Sequence, residues 1–308
     1  FFKQKTAYEI PKRDWSSDVC SSDLNNNPNN PVISIRSLGE NRELVSQLSS
    51  SLIRGMQDNN MIATAKHFPG HGDTDVDSHF DLPILKFSYS RLDSLELLPF
   101  KTAISLGVQS IMIAHLAIPS LEPDLKTPAS LSHFIVKNLL QSQLNYNGLI
   151  ITDGLEMQGV RKNFSDAEIA IRAIETGSDI LLGPFDDDVA IDSVVWAVQS
   201  GRISVERINR SVLKLLDLKQ KLGLHKKKIS NIDSIRELVN TPEHQLLAKT
   251  IARKSITVLK NDSLLPLTPF VENKILVISV SSSDDYRIDV QDRKSTRLNS
   301  SHVSESRM

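Results

Sequence analysis

One cysteine, Cys20, stands in the 308 residues, so the chain can form no internal disulfide and no site built from several thiolates. No basic block is present either. Lys and Arg number 36 against 37 Asp and Glu, with nothing to track a phosphate backbone, and nucleic acid is excluded as a partner. No uninterrupted apolar run approaches the roughly 20 residues needed to cross a bilayer.

The two ends differ from the rest. Residues 18–24 (DVCSSDL) can be encoded by a stretch whose reverse complement, read in another frame, encodes residues 292–297 (DRKSTR). Both resemble translated sequencing adaptor, and residues 1–24 and 292–308 are set aside from the fold as artefact. Two polar tails would fit the composition equally well but would leave the shared coding unexplained. The only cysteine falls in the discarded end. The remainder is slightly acidic, and with its natural start missing a signal peptide is neither seen nor excluded.

Between these ends, helix, strand and polar loop recur. Apolar periodicity predicts helices over 43–57, 93–106, 130–144 and 166–177, followed by strands at 61–65, 109–114, 148–152 and 179–182. The strands are nearly continuous in apolar residues, as in parallel sheets covered on both faces by crossover helices. Helices over 187–200 and 204–222 close this part. Residues 226–246 read as a linker and the start of a helix over 243–254, and 247–291 as the beginning of a second α/β domain, with a strand at 274–280. In such folds chemistry sits at the carboxyl edge of the sheet.

Residues 66–79 (KHFPGHGDTDVDSH) hold three histidines, three aspartates and two glycines, too polar for a core. Asp77 and His79, two apart, share one face of an extended segment and can hydrogen-bond. An aspartate accepting from one imidazole nitrogen leaves the other to carry a proton, or simply orders the loop. Asp153 follows an apolar strand and precedes Gly154. It can serve as nucleophile, as base, or as the cap of the next helix. His67, His71, His79 and Asp73 also invite a metal, although Pro69 and Gly70 prevent His67 and His71 from sharing a helix face. His115, at another strand end, either lines the pocket or satisfies a backbone group.

Lys66–Thr74 (KHFPGHGDT) followed by Asp77-Ser78-His79 resembles the signature of family 3 glycoside hydrolases, in their β-N-acetylhexosaminidase branch. Ile151–Met157 (ITDGLEM) resembles that family's nucleophile segment, and residues 110–119 and 248–267 fit the same family. The resemblance implies an α/β fold: a TIM-like (β/α) barrel over 25–225, incomplete because its first strands are missing, followed by the start of a second α/β sandwich domain. It implies Asp153 as nucleophile, His79 held by Asp77 as acid and then base, and Lys66, His67 and Arg36 as ligands of sugar hydroxyls. The activity implied is retaining removal of terminal β-linked N-acetylglucosamine from a small carbohydrate such as a muropeptide, without metal or organic cofactor. A β-glucosidase or a phosphorylase of the same family, a metal-dependent hydrolase and a non-catalytic sugar-binding relic are the alternatives. The missing strands imply a weakly active or inactive chain.

Overall fold

The computed structural model of the chain describes residues 19–33, 36–226, 234–258 and 260–262. The expected strand at 274–280 and the end at 292–308 lie outside them. The chain divides into two units after Ile235.

The larger unit is built on a parallel sheet of order β1-β2-β3-β4. Its strands are β1 (Val19–Ser21), β2 (Thr64–Phe68), β3 (Ser110–Ile113) and β4 (Leu149–Thr152). Every residue of β2, β3 and β4 is buried, which accounts for their apolar runs. Ile180 extends the order by a parallel bridge to Ile151, and Asp179 secures that segment by accepting from the Ile150 amide at 3.1 Å and from Lys214 Nζ at 2.9 Å. The α/β reading of the sequence holds.

Helix α1 (Arg42–Asp58) links β1 to β2 and starts at Asn41, whose side chain accepts from the Leu44 amide, satisfying one of the orphan donors of the first turn. Between β2 and β3 the single helix expected over 93–106 is two, α2 (Tyr89–Ser94) and α3 (Leu97–Ser105). Pro99 explains the break. A proline ring collides with the carbonyl four residues earlier, here Leu95, so the helix restarts with Pro99 in its first turn. The segment before β4 is a wide π-helix, Phe134–Gln143, with Leu144 donating to the Leu139 carbonyl. After β4 come the one-turn helix α4 (Gln158–Arg161), then α5 (Asp166–Thr176), α6 (Asp187–Gln199) and α7 (Val205–Lys221). Ser165, Asp186 and Ser204 cap the last three. The main core lies between the sheet, α1 to α3 and the π-helix, where Phe68 and Phe100 meet edge to face at 5.4 Å.

The helices at either end of this series show apolar stripes to solvent. Leu44, Leu48 and Leu52 line one side of α1, and Ile191, Val195 and Trp196 of α6 with Leu213 and Leu216 of α7 do the same at the far end.

The second unit begins within α8 (Ile235–Leu238) and contributes α9 (Pro242–Ser255), capped by Thr241 with Pro242 in its first turn. Residues 256–258 beyond it are exposed.

Residues 18–24, set aside on coding grounds, require a correction to the fold. Val19–Ser21 pair in register with Thr64–Lys66, and Asp23 and Leu24 are buried. The edge of β2 accepts them because a parallel ladder needs only main-chain donors and acceptors, which any non-proline residue carries.

Candidate active site

The strand expected at 61–65 is displaced by three residues, to Thr64–Phe68. Lys66 and His67 therefore belong to β2 itself, at its carboxyl end, and both are buried. A buried carboxylate organises them. Asp23 accepts from the amides of His67 at 3.1 Å and His71 at 2.8 Å, and its Oδ2 lies 2.7 Å from His67 Nδ1. Burial works to raise the Asp23 pKa, but His67 and His71 outweigh it and hold the group below the ordinary aspartate value. With a carboxylate opposite, Nδ1 of His67 carries the proton and Nε2 is left for the site.

Asp153 comes directly after β4. Its amide donates to the Ile113 carbonyl at 2.9 Å, and its Oδ1 accepts the Gly154 amide at 2.8 Å. Helix α4 begins only at Gln158, with Met157 in the cap position, so the capping role left open by the sequence is not taken. Burial again pushes the pKa up. His67, His115, the Gly154 amide and Lys66 overcome it and hold the carboxyl at about 2. The strand ends of β2, β3 and β4 thus converge on one anionic carboxylate.

Asp77 and His79 form the pair that their spacing suggested. Asp77 Oδ1 accepts from the His79 amide at 2.9 Å and lies 2.7 Å from its Nδ1. The imidazole is 43 % exposed, open to a substrate, and the Asp77 contact assigns the proton to Nδ1 and leaves Nε2 for transfer.

Two devices fix this loop. His71, completely buried, lies 3.0 Å by Nδ1 from Thr74 Oγ1 and 3.2 Å by Nε2 from Ser78 Oγ. Burial and the neighbouring His67 bring its pKa down to about 4, so it is neutral and can donate through one nitrogen while accepting through the other. From the opposite side, the amides of Gln158 and Gly159 at the start of α4 donate to the carbonyls of His79 and Ser78, at 3.3 and 3.0 Å. Lys162 pairs with Asp81 at 2.8 Å. The acid/base candidate and the segment after Asp153 are tied together.

The metal reading loses His71 and Asp73 and keeps only Nε2 of His67 and of His79. Both His71 nitrogens face hydroxyls, His67 Nδ1 is taken by Asp23, and Asp73 pairs with Arg91. His115 satisfies a backbone group rather than lining a pocket: it is fully buried, with Nε2 3.0 Å from the Gly154 carbonyl and Nδ1 2.7 Å from Ser130 Oγ. Arg36 is exposed, with its guanidinium 3.5 Å from the carbonyl of Val32. Among the described residues no contact joins it to Lys66, His67 or Asp153. Asp23, Ser130 and the organising part of His71 escaped the sequence reading.

Residues 7–218 match the glycosyl hydrolase family 3 N-terminal domain. The chain belongs to that family. It is 32 % identical over 266 residues to β-hexosaminidase A of Pseudoalteromonas piscicida, an alignment covering 80 % of this chain and 44 % of the relative. It superposes on a family 3 β-N-acetylglucosaminidase from Paenibacillus sp. str. FPU-7 with a TM-score of 0.74 at 44 % identity, covering 79 % of this chain and 46 % of the other. A β-glucoside phosphorylase superposes with a TM-score of 0.75 at 27 % identity, covering 81 % and 46 %. The family 3 chain described here therefore spans about half the length of these relatives. Its match to the family domain takes in β1 to β4 and α1 to α6, so both Asp153 and the Asp77–His79 pair lie inside it.

Proposed function

We propose that the chain carries the catalytic part of a retaining glycoside hydrolase that removes terminal β-linked N-acetylglucosamine, with Asp153 as nucleophile and His79 as acid and base. The observation that carries this reading is the tie between the two: the amides that follow Asp153 in α4 hold the carbonyls of the Asp77–His79 loop. Asp153, ionised with its pKa at about 2, attacks the anomeric carbon while His79 Nε2–H protonates the departing glycosidic oxygen, leaving a glycosyl ester. His79 then takes a proton from water, whose oxygen attacks the same carbon and frees the carboxylate. Asp77 stabilises the imidazolium that exists before the first step and is restored by the second, and it orients the neutral ring in between. Lys66 supplies a donor for sugar hydroxyls, and His67, oriented by Asp23, can donate or accept. No metal or organic cofactor enters any step.

The full-length enzyme should release nitrophenol from 4-nitrophenyl N-acetyl-β-glucosaminide and leave the β-glucoside almost untouched. The opposite preference would sink the choice of sugar. Phosphorolysis is the second reading, favoured by the likeness to a β-glucoside phosphorylase and by an imidazole acid/base that sets no second negative charge beside an incoming anion. A sugar 1-phosphate formed in phosphate buffer would select it.

The sheet is read as part of an incomplete (β/α) barrel. Apolar stripes on α1 and on α6 and α7, the two ends of the helical series, support this, since large exposed apolar patches are rare on monomers. Light scattering should show the 308-residue chain self-associating, and Trp196→Glu with Leu213→Lys should reduce it. A monodisperse monomer would remove the inference.

A further inference from the structure

We infer that His115, backed by Ser130, is a positioning residue for Asp153, holding Gly154, the residue whose amide orients the nucleophilic carboxylate. This rests on the proposed role of Asp153. His115 has no exposed surface and cannot touch a sugar, yet its Nε2 bonds the residue next to the reacting group and its Nδ1 bonds Ser130. The Gly154 carbonyl can only accept, so His115 Nε2 carries the hydrogen of their 3.0 Å contact. A neutral ring then has a bare Nδ1, and Ser130 Oγ donates to it across 2.7 Å. Ser130 is itself fixed, its amide donating to the Ala114 carbonyl at 3.2 Å. The Ser130 hydroxyl thus donates to His115 and His115 to the Gly154 carbonyl, which the Met157 amide also reaches at 3.1 Å, while the Gly154 amide, in the preceding peptide unit, donates to Asp153 Oδ1 at 2.8 Å.

A glycine needs such restraint. Without a Cβ its backbone dihedrals are the least restricted of any residue, and an added Cβ would stand 2.8 Å from Glu156 Oε2, the movable end of a side chain. Both polar main-chain groups of Gly154 are held from outside, one by His115 and the other by Asp153 itself. The donor's lack of charge matters as well. Burial lowers the His115 pKa, and only the neutral ring offers Nδ1 a lone pair for the Ser130 hydroxyl. A displacement of about 1 Å in a reacting group can cost about 100-fold in rate, and that is the error these bonds prevent.

The test compares His115→Leu, which removes both bonds, with His115→Gln, whose amide can donate to Gly154 and accept from Ser130. In the full-length enzyme acting on 4-nitrophenyl N-acetyl-β-glucosaminide, His115→Leu should lower kcat about 100-fold with KM changed by less than about threefold, and His115→Gln should recover most of the loss. An unchanged kcat in His115→Leu, or a glutamine variant no better than leucine, overturns the proposal. Should the leucine variant fail to fold, Ser130→Ala decides: a kcat lowered about tenfold, equivalent to roughly 1.4 kcal/mol for one lost hydrogen bond, supports it, and an unaltered kcat overturns it. Nitrogen-15 spectra of the 308-residue chain read the same contact without turnover. His115 should show a protonated Nε2 and a bare Nδ1 that does not titrate near 6.5, and the reverse tautomer refutes this arrangement of donors. Asp153→Asn, run in parallel, separates the two failures: turnover retained there removes the nucleophile while leaving the spectral result to stand or fall alone.

Discussion

Asp153→Asn should cut kcat in the full-length enzyme by about 10⁴-fold or more, the scale on which loss of a covalent nucleophile is felt, while binding of N-acetylglucosamine persists. The amide is close to isosteric with the carboxylate, and its oxygen can still accept the Gly154 amide that now contacts Oδ1. What it lacks is the negative charge that Lys66, His67 and the Gly154 amide stabilise, and with it the capacity to form an ester at the anomeric carbon. Calorimetric titration with the free sugar and a nitrophenol assay measure the two halves. Hydrolysis that continues at the native rate would remove Asp153 from the chemistry, and binding lost together with turnover would make it a sugar ligand instead. A non-catalytic sugar-binding relic would need no carboxylate here at all, so the same variant tests that alternative.

The second large effect concerns stability and pH. A free imidazole titrates near 6.5, whereas His71 in the fold titrates at about 4 because burial, first, and His67, second, disfavour its cation. Between those values the unfolded chain takes up a proton that the folded chain refuses. Stability is therefore complete above about pH 6.5 and falls as the pH drops towards 4, by on the order of 3 kcal/mol from this residue alone. His115, its pKa also lowered by burial, adds a loss of the same sign. Asp23 and Asp153, with pKa values below the ordinary aspartate range, lose their contribution only at lower pH and do not blur the window. Urea midpoints at pH 7 and pH 4.5 should differ clearly for the native chain and markedly less for His71→Gln, which keeps a neutral group able to bond Thr74 and Ser78. An equal pH slope in both proteins would show that His71 is not the titrating group.

Much of this architecture was legible in the sequence, and the parts that were not share a cause. Alternating elements could be read because apolar periodicity is local, and Asp77 with His79 because two residues of one loop need nothing distant to meet. The tie between Asp23 and His67 spans 44 residues, and that between His115 and Gly154 spans 39. Neither leaves a mark on its neighbours, and in Asp23 a resemblance to adaptor coding pointed away from the fold. Strand β2 was placed too early because Lys66 and His67 are polar, although a strand end that serves a site must carry polar groups. Pro99 was readable and should have split the helix over 93–106. Arg36 shows the reverse limit. A motif named it, and no contact among the described residues brings it to the site.

Gly159 illustrates a different kind of constraint. A Cβ there would stand 2.8 Å from the Ser78 carbonyl oxygen and 3.2 Å from that of Asp81, so even alanine would push the histidine-bearing loop outward. A position that never meets the carbohydrate should thus tolerate replacement as poorly as one that does. In a saturation library selected for growth on the sugar, its intolerance would look like chemistry when its origin is only lack of room.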